Sequence, residues 1–355
     1  MKRMFASVGF LVLIMVTVVL ATVTADVRHR EDGVPGYVIS QRIRARMELR
    51  RQERAPRLTS ATRLPGAGPG YESISINGQM RTFVRYTPDS VLLARKRAPV
   101  VFLLHGAGGV AAHLAPYVGL NAVADREHFI VVYPQGIEKV WNDGRDPGDK
   151  ASHKRGSEDD AAFLNLLADG LVADGVADPE RIYLAGISNG GFMALNLACN
   201  PDSRFAAIAS VIASLPEKAK PACTPRRAVP VLMINGTADP LVHYDGSASN
   251  TGIKGNLPVP ATAQFFAELN QCGTATELSI DPRDTSDETR VSQRVWHGCR
   301  DGSGVALYTI SGGGHQAPST AKVTGGIVID WAMGIRSRQI DTAETVWDFF
   351  KAHKR

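Results

Sequence analysis

The chain has 355 residues, 44% hydrophobic and 21% charged, a make-up that suits a globular protein with a large core and excludes a disordered polymer. Its formal net charge is +5. Two of those positive charges lie in residues 1–25, and residues 26–70 hold ten basic against five acidic residues, so residues 71–355 carry −2 and nothing in the folded part points to nucleic acid. In chain order, the first element is a leader. Lys2 and Arg3 precede an uncharged run from Phe5 to Thr24, and the small residues Val23-Thr24-Ala25 precede Asp26. Residues 1–25 are expected to be a signal peptide or, if uncut, a signal anchor, because the run is nearly long enough to span a bilayer. The protein is therefore expected to be secreted or periplasmic, touching a membrane only through an uncleaved leader. Residues 26–70, rich in Arg, Pro and Gly, read as a basic linker.

The catalytic domain is placed at 71–355. Two alternating stretches, YESISI and MRTFVRYTP, flank Asn77-Gly78, a pair suited to the positive φ of a tight hairpin turn. Short apolar runs follow at 99–104, 129–134, 181–186 and 229–236, the pattern of strands buried on both faces. Helical stretches are expected at 158–174, 190–199 and 261–270, then a strand at 305–311 and a helix near 341–353. An antiparallel hairpin followed by alternating strands and helices predicts an α/β fold: a mostly parallel central sheet with helices on both faces.

Gly186-Ile187-Ser188-Asn189-Gly190 matches G-x-S-x-G between a β-rich run and a helical run. A serine on such a sharp strand-to-helix turn is exposed for nucleophilic attack, and small residues two positions to either side avoid backbone collisions. A serine hydroxyl needs a neighbouring base. His315, after a predicted strand and three glycines, is the first candidate, with His243 and His297 in reserve. Asp239, directly after the strand VLMI, is the candidate acid to orient that base, with Asp245 as runner-up. A base of this kind acts when neutral, so activity is expected to rise with pH through about 6–7.

An oxyanion hole needs two backbone donors. The residue after the nucleophile, Asn189, supplies one, and Ala107 in His105-Gly106-Ala107-Gly108-Gly109 is assigned the other, with Gly106 next to it. The same segment matches the dinucleotide pattern G-x-G-x-x-A, but the following strand ends in Pro134-Gln135 without the acid that would hold a ribose, so no cofactor is expected. Four cysteines allow three pairings; Cys199–Cys223 and Cys272–Cys299 are favoured because each closes a short loop. No cysteine spacing suggests a metal site.

Taken together, LLHGAGG, VVYPQG, Trp141-Asn142, EDDAAFL, RIYLAGISNGGFMA, VLMINGTADPLVHYDG and ISGGGH resemble the secreted esterases related to poly(3-hydroxybutyrate) depolymerases and to feruloyl or acetylxylan esterases. The resemblance covers roughly residues 71–350. It implies an α/β-hydrolase fold, a serine–aspartate–histidine triad, no cofactor, and a carboxylic ester substrate of polyhydroxybutyrate-oligomer, feruloyl or acetyl-polysaccharide type. It also implies that Trp141 and Asp160 help shape the substrate site, beside Gly106 and Gln316. Gln316 stands where many relatives carry an aromatic residue. Two other readings use the same fold: a serine peptidase, separable by amide substrates, and a silent binding protein that ignores ester probes.

Overall fold

The computed structural model describes residues 70–76, 78–145, 159–249, 253–321 and 332–355. The leader, nearly all of the linker and Asn77 of the hairpin turn lie outside the described residues. In chain order the elements are β1 (Tyr71–Ile76), β2 (Gln79–Tyr86), α1 (Asp89–Ala94), β3 (Ala98–Leu104), α2 (Leu114–Val118), α3 (Leu120–Glu127) and β4 (Ile130–Pro134). They continue as α4 (Asp160–Ala173), β5 (Ala177–Ile187), α5 (Asn189–Ala198), β6 (Ala207–Val211), β7 (Val231–Gly236) and α6 (Val259–Leu269). β8 (Ala275–Ile280), β9 (Arg290–Trp296), β10 (Val305–Ser311) and α7 (Thr342–Lys351) complete the chain.

The strands form one sheet in the order β1-β2-β4-β3-β5-β6-β7-β10-β9-β8. From β4 to β10 every neighbouring pair is parallel. The edges are antiparallel: β1 and β2 on one side, β9 and β8 on the other. Every residue of β3 and β4 is buried because both faces of the sheet are covered there. Val100, Phe102 and Leu104 of β3 join one core cluster with Phe163 and Leu167 of α4 and Phe266 of α6. Val101 and Leu103 join the other, with Val123 of α3 and Trp347 and Phe350 of α7. Adjacent residues on a strand point to opposite faces, so one apolar run feeds two cores.

Local chemistry sets the helix starts. Asp159 caps α4 by accepting from Ala162 N–H at 2.8 Å, and Asp341 caps α7 by accepting from Ala343 and Glu344 N–H. Apolar residues at i, i+3 and i+4 spacing, from Phe163 to Leu171, turn α4 onto the sheet. Two disulfides are formed. Cys199–Cys223 ties the C-terminal end of α5 to the loop before β7, and Cys272–Cys299 joins the segments after α6 and β9. In open sheets of this kind ligands bind beyond the carboxyl ends of the parallel strands. The segments that follow β3, β5, β7 and β10 meet there.

Candidate active site

Ser188 sits between the last residue of β5 and the first of α5, at φ 53° and ψ −118°, a conformation rare for an L-residue. The turn is tight enough to require glycine on both sides. A Cβ on Gly186 would lie 2.0 Å from Gly190 O, and one on Gly190 would lie 2.6 Å from Leu104 O. The Ser188 amide donates to Val211 O at the end of β6, 2.9 Å away, which pins the turn to the sheet.

Two loops bring the other side chains to it. After β7 the chain turns at Asp239, whose Oδ1 accepts from the Leu241 and Val242 amides, each at 2.8 Å. After β10 the glycine run leads to His315, whose amide donates to Met333 O. Asp239 Oδ2 and His315 Nδ1 are 2.7 Å apart, and His315 Nε2 and Ser188 Oγ are 2.8 Å apart. Asp239 and His315 are buried and Ser188 is half-buried, so the aspartate and imidazole are shielded while the hydroxyl borders the cavity. The reserve residues lie in other contacts: His243 with Ser247, Asp245 with Ser247, and His297 with Thr276.

The loop after β3 passes beside the serine. A Cβ on Gly106 would stand 3.4 Å from Ser188 Cβ. This loop is shaped by His105, which is buried. Its Nε2 accepts from Gly136 N–H at 3.0 Å and from Gln135 Nε2 at 3.0 Å. A backbone N–H only donates, so the proton of the neutral ring is on Nδ1, which donates to Gly106 O at 2.7 Å. Burial pushes this imidazole below its ordinary pKa, with the Gly106 carbonyl opposing the shift. Gly106 O also accepts from Gly109 N–H at 3.0 Å. In a trans peptide the N–H points away from the C=O, so holding Gly106 O on one side turns the Ala107 N–H to the other. Asn189 is the first residue of α5, so its N–H has no acceptor within the helix.

Trp141, Asp160 and Gln316, expected to help shape the substrate site, are held in contacts with other residues of the protein. Trp141 is fully buried: its indole N–H donates to His105 O at 2.9 Å. Its main-chain N–H donates to Asn189 Oδ1 at 2.7 Å, and its carbonyl accepts from Asn189 Nδ2 at 3.1 Å. Asp160 is 3% exposed, paired with Arg81 at 2.6 Å, and accepts from the Asn142 amide at 2.7 Å. Gln316 donates to Gly334 O at 2.6 Å. None of the three lines the cavity over Ser188. Their side chains bond to other residues of the protein, Trp141 to His105, Asp160 to Arg81 and Asn142, and Gln316 to Gly334. Gly106, by contrast, does line the cavity.

That cavity has a volume of about 690 Å³ and is bounded by Ser188, His315, Ala107 and Asn189 together with Val110, Leu114, Tyr117, Ile212, Leu241, Ile253 and Met333. Its wall is mostly apolar. Arg145 also borders it, paired with Asp143 at 2.8 Å and lying over the Phe192 ring at 4.0 Å. Sequence reasoning missed Asp143, Arg145, Tyr117 and the apolar wall. The one available signal was the density of polar residues in Trp141-Asn142-Asp143-Gly144-Arg145, between two core elements. Among the described residues no three His, Cys, Asp or Glu side chains gather as a metal site.

A family model described as esterase PHB depolymerase matches residues 82–261, just over half of the chain. NocK of Nocardia uniformis subsp. tsuyamanensis, a protein that carries an esterase name, is 31% identical over 287 residues, covering 78% of this chain and 80% of its own. Feruloyl esterase B of Piromyces equi is 26% identical over 235 residues, 62% of this chain and 40% of that protein. The solved acetyl xylan esterase from Aspergillus awamori superposes with a TM-score of 0.47 at 14% identity, over 71% of this chain and 93% of that one. The match over half of the chain, with the NocK similarity across most of both proteins, shows that this chain belongs to the esterase PHB depolymerase family and is a carboxylic ester hydrolase of the serine type.

Proposed function

We propose that the chain hydrolyses its ester through a covalent acyl-enzyme on Ser188. The observation that carries this reading is the unbroken line Asp239 Oδ2–His315 Nδ1, His315 Nε2–Ser188 Oγ, at 2.7 and 2.8 Å. Ser188 Oγ attacks the carbonyl carbon while its proton passes to His315 Nε2. Asp239 holds the imidazole by Nδ1 and stabilises the imidazolium. The oxyanion is received by the amides of Asn189 and Ala107. Collapse of the tetrahedral intermediate expels the alcohol, which takes the proton from His315. Water, deprotonated by His315, then attacks the acyl carbon and releases the acid and free Ser188.

The substrate is a small or oligomeric ester of the polyhydroxybutyrate-oligomer, feruloyl or acetyl-polysaccharide kind. A largely apolar cavity of about 690 Å³ suits a neutral acyl or alcohol group of moderate size. Residues 71–355 form the catalytic domain, exported by the leader; the two disulfides fit an oxidising compartment. The test is hydrolysis of short p-nitrophenyl esters by residues 26–355 beside Ser188→Ala. Turnover that disappears with the serine supports the reading. Equal turnover by both proteins, or none by either when folded, overturns it.

A further inference from the structure

The side chain of Asn189 is held more firmly than an oxyanion donor requires, since the donor is its backbone amide. Asn189 Oδ1 accepts from Trp141 N–H, and its Nδ2 donates both to Trp141 O and to Asp143 Oδ2, the last at 2.6 Å. Asp143 is 0% exposed and Asn189 is 2% exposed, so the shortest of these bonds lies in the protein interior, where water does not replace it. The same Oδ2 accepts from Arg145 Nε at 2.9 Å and Arg145 Nη2 at 2.8 Å, and Oδ1 accepts from the Arg145 amide at 3.1 Å. Arg145 lies on Phe192 of α5, three residues beyond Asn189. The pair therefore grips the first turn of the nucleophile helix at two places.

We propose that Asp143 is a positioning residue for ester hydrolysis: through the Asn189 side chain it fixes the direction of the Asn189 amide, and Arg145 supplies the charge that lets a carboxylate occupy that buried place. The strained turn at Ser188 makes such a brace necessary. Backbone at φ 53° and ψ −118° persists when its surroundings over-determine it. A charge-assisted bond to the next residue does this at short range. Displacement of a donor by about 1 Å is enough to cost about 10²-fold in rate. Asp143 never needs to touch the substrate.

The inference rests on the acyl-enzyme reading, so both are tested on one panel: wild type, Ser188→Ala, Asp143→Ala, Asp143→Asn, Asn189→Ala and Asp143→Ala with Asn189→Ala. Each variant that keeps Ser188 is titrated with a fluorophosphonate so that kcat refers to competent sites, and Ser188→Ala is compared per mole of folded protein. Asp143→Ala is expected to lower kcat on p-nitrophenyl acetate by about 10- to 100-fold, short of the loss of a whole donor, while KM stays within about 3-fold. Asp143→Asn, uncharged and isosteric, should fall between wild type and Asp143→Ala. Asn189→Ala keeps its backbone amide and should lose as much as Asp143→Ala, and the double variant should lose no more than either. A purely structural role lowers the melting temperature and the titre but leaves kcat per site unchanged, and that result overturns the inference. Additive losses in the double variant overturn it as well. Should Asp143→Ala yield no folded protein, an unchanged kcat in Asp143→Asn decides against it. Full activity in Ser188→Ala sinks the acyl-enzyme reading itself, a separate outcome from any result at Asp143.

Discussion

Trp141 and Asn189 hold one another reciprocally: the main-chain N–H and C=O of the tryptophan are both bound by the side-chain amide of the asparagine, at 2.7 and 3.1 Å. Trp141 also reaches the opposite side of the site, where its indole N–H donates to His105 O at 2.9 Å. One residue thus sets the spacing between the loop after β3 and the start of α5. Trp141→Phe keeps most of the ring and removes that N–H, leaving a buried carbonyl short of a partner. It should lose about 1–3 kcal/mol of stability and also lower kcat. Urea unfolding beside steady-state kinetics reads both; a variant within experimental error of wild type in each would show that the spacing is set elsewhere.

Glycine substitutions separate crowded positions from open ones. A Cβ at Gly190 would stand 2.6 Å from Leu104 O and 2.7 Å from His105 O, both backbone atoms. Gly190→Ala should therefore push α5 away from β3 and reduce kcat/KM by about 10²-fold or more. Gly170, inside α4, has nothing within 4 Å of its added Cβ. Gly170→Ala should raise stability by about 0.5–1 kcal/mol without altering turnover. Thermal melts and ester hydrolysis on the two variants are sufficient, and a destabilised Gly170→Ala contradicts the packing described for α4.

The disulfides close segments of similar length, with separations of 24 and 27 residues. Each should contribute about 3 kcal/mol by restricting the unfolded chain. Replacing either pair with alanines should lower the denaturation midpoint by comparable amounts. Reduction of the wild type should approach the loss seen when both pairs are removed. If one pair accounts for nearly all of the effect, chain restriction is not the main source of the stabilisation.

Two histidines outside the Ser188 line make folding sensitive to acid. Burial pushes the imidazoles of His105 and His353 below their ordinary value of 6.5, against the backbone carbonyls of Gly106 and Gly302 that pull the other way. The unfolded chain therefore takes up these protons first as pH falls. Their contribution to stability is complete above about 6.5 and declines as pH drops toward the lower folded values. His353→Gln keeps a donor for Gly302 and binds no proton, so its melting temperature should vary less between pH 7.5 and 5 than that of wild type. Parallel curves for the two proteins would rule out His353 as a source of the acid sensitivity.

β3, β4, β5, β7 and β10 were legible because each carries a short apolar run, and α4 and α5 because they follow recognisable capping and turn chemistry. Three strands were not anticipated. β6 reads AIASV, only five residues with Ile208 and Val211 separated by small ones, too short a signal to stand alone, and it is paired with β5 and β7. β8 is exposed along most of its length, and β9 alternates poorly, so neither shows a buried-strand pattern. In the site, Ser188, Asp239, His315 and the loop after β3 each follow a strand end, a local feature visible in one dimension. The roles of Trp141, Asp143 and Asp160 depend on partners 46, 48 or 79 residues away. Trp141 and Asp160 were legible only as residues near the site and Asp143 not at all, and all three are buried.

The cavity wall divides by part played. Ser188 stands where β5 meets α5 and is lined up with Asp239 and His315 on the loops after β7 and β10, whereas Val110, Tyr117, Leu241, Ile253 and Met333 stand outside that line, Tyr117 on α2 and the others on segments outside the sheet. The side chains that shape the cavity are thus distinct from those of the Asp239–His315–Ser188 line. Mutation can reshape the first while the second stays intact, so a lineage built on this frame has a short route from one ester to another. Libraries confined to those five positions, with α5 and its brace untouched, are the natural place to look for new selectivity.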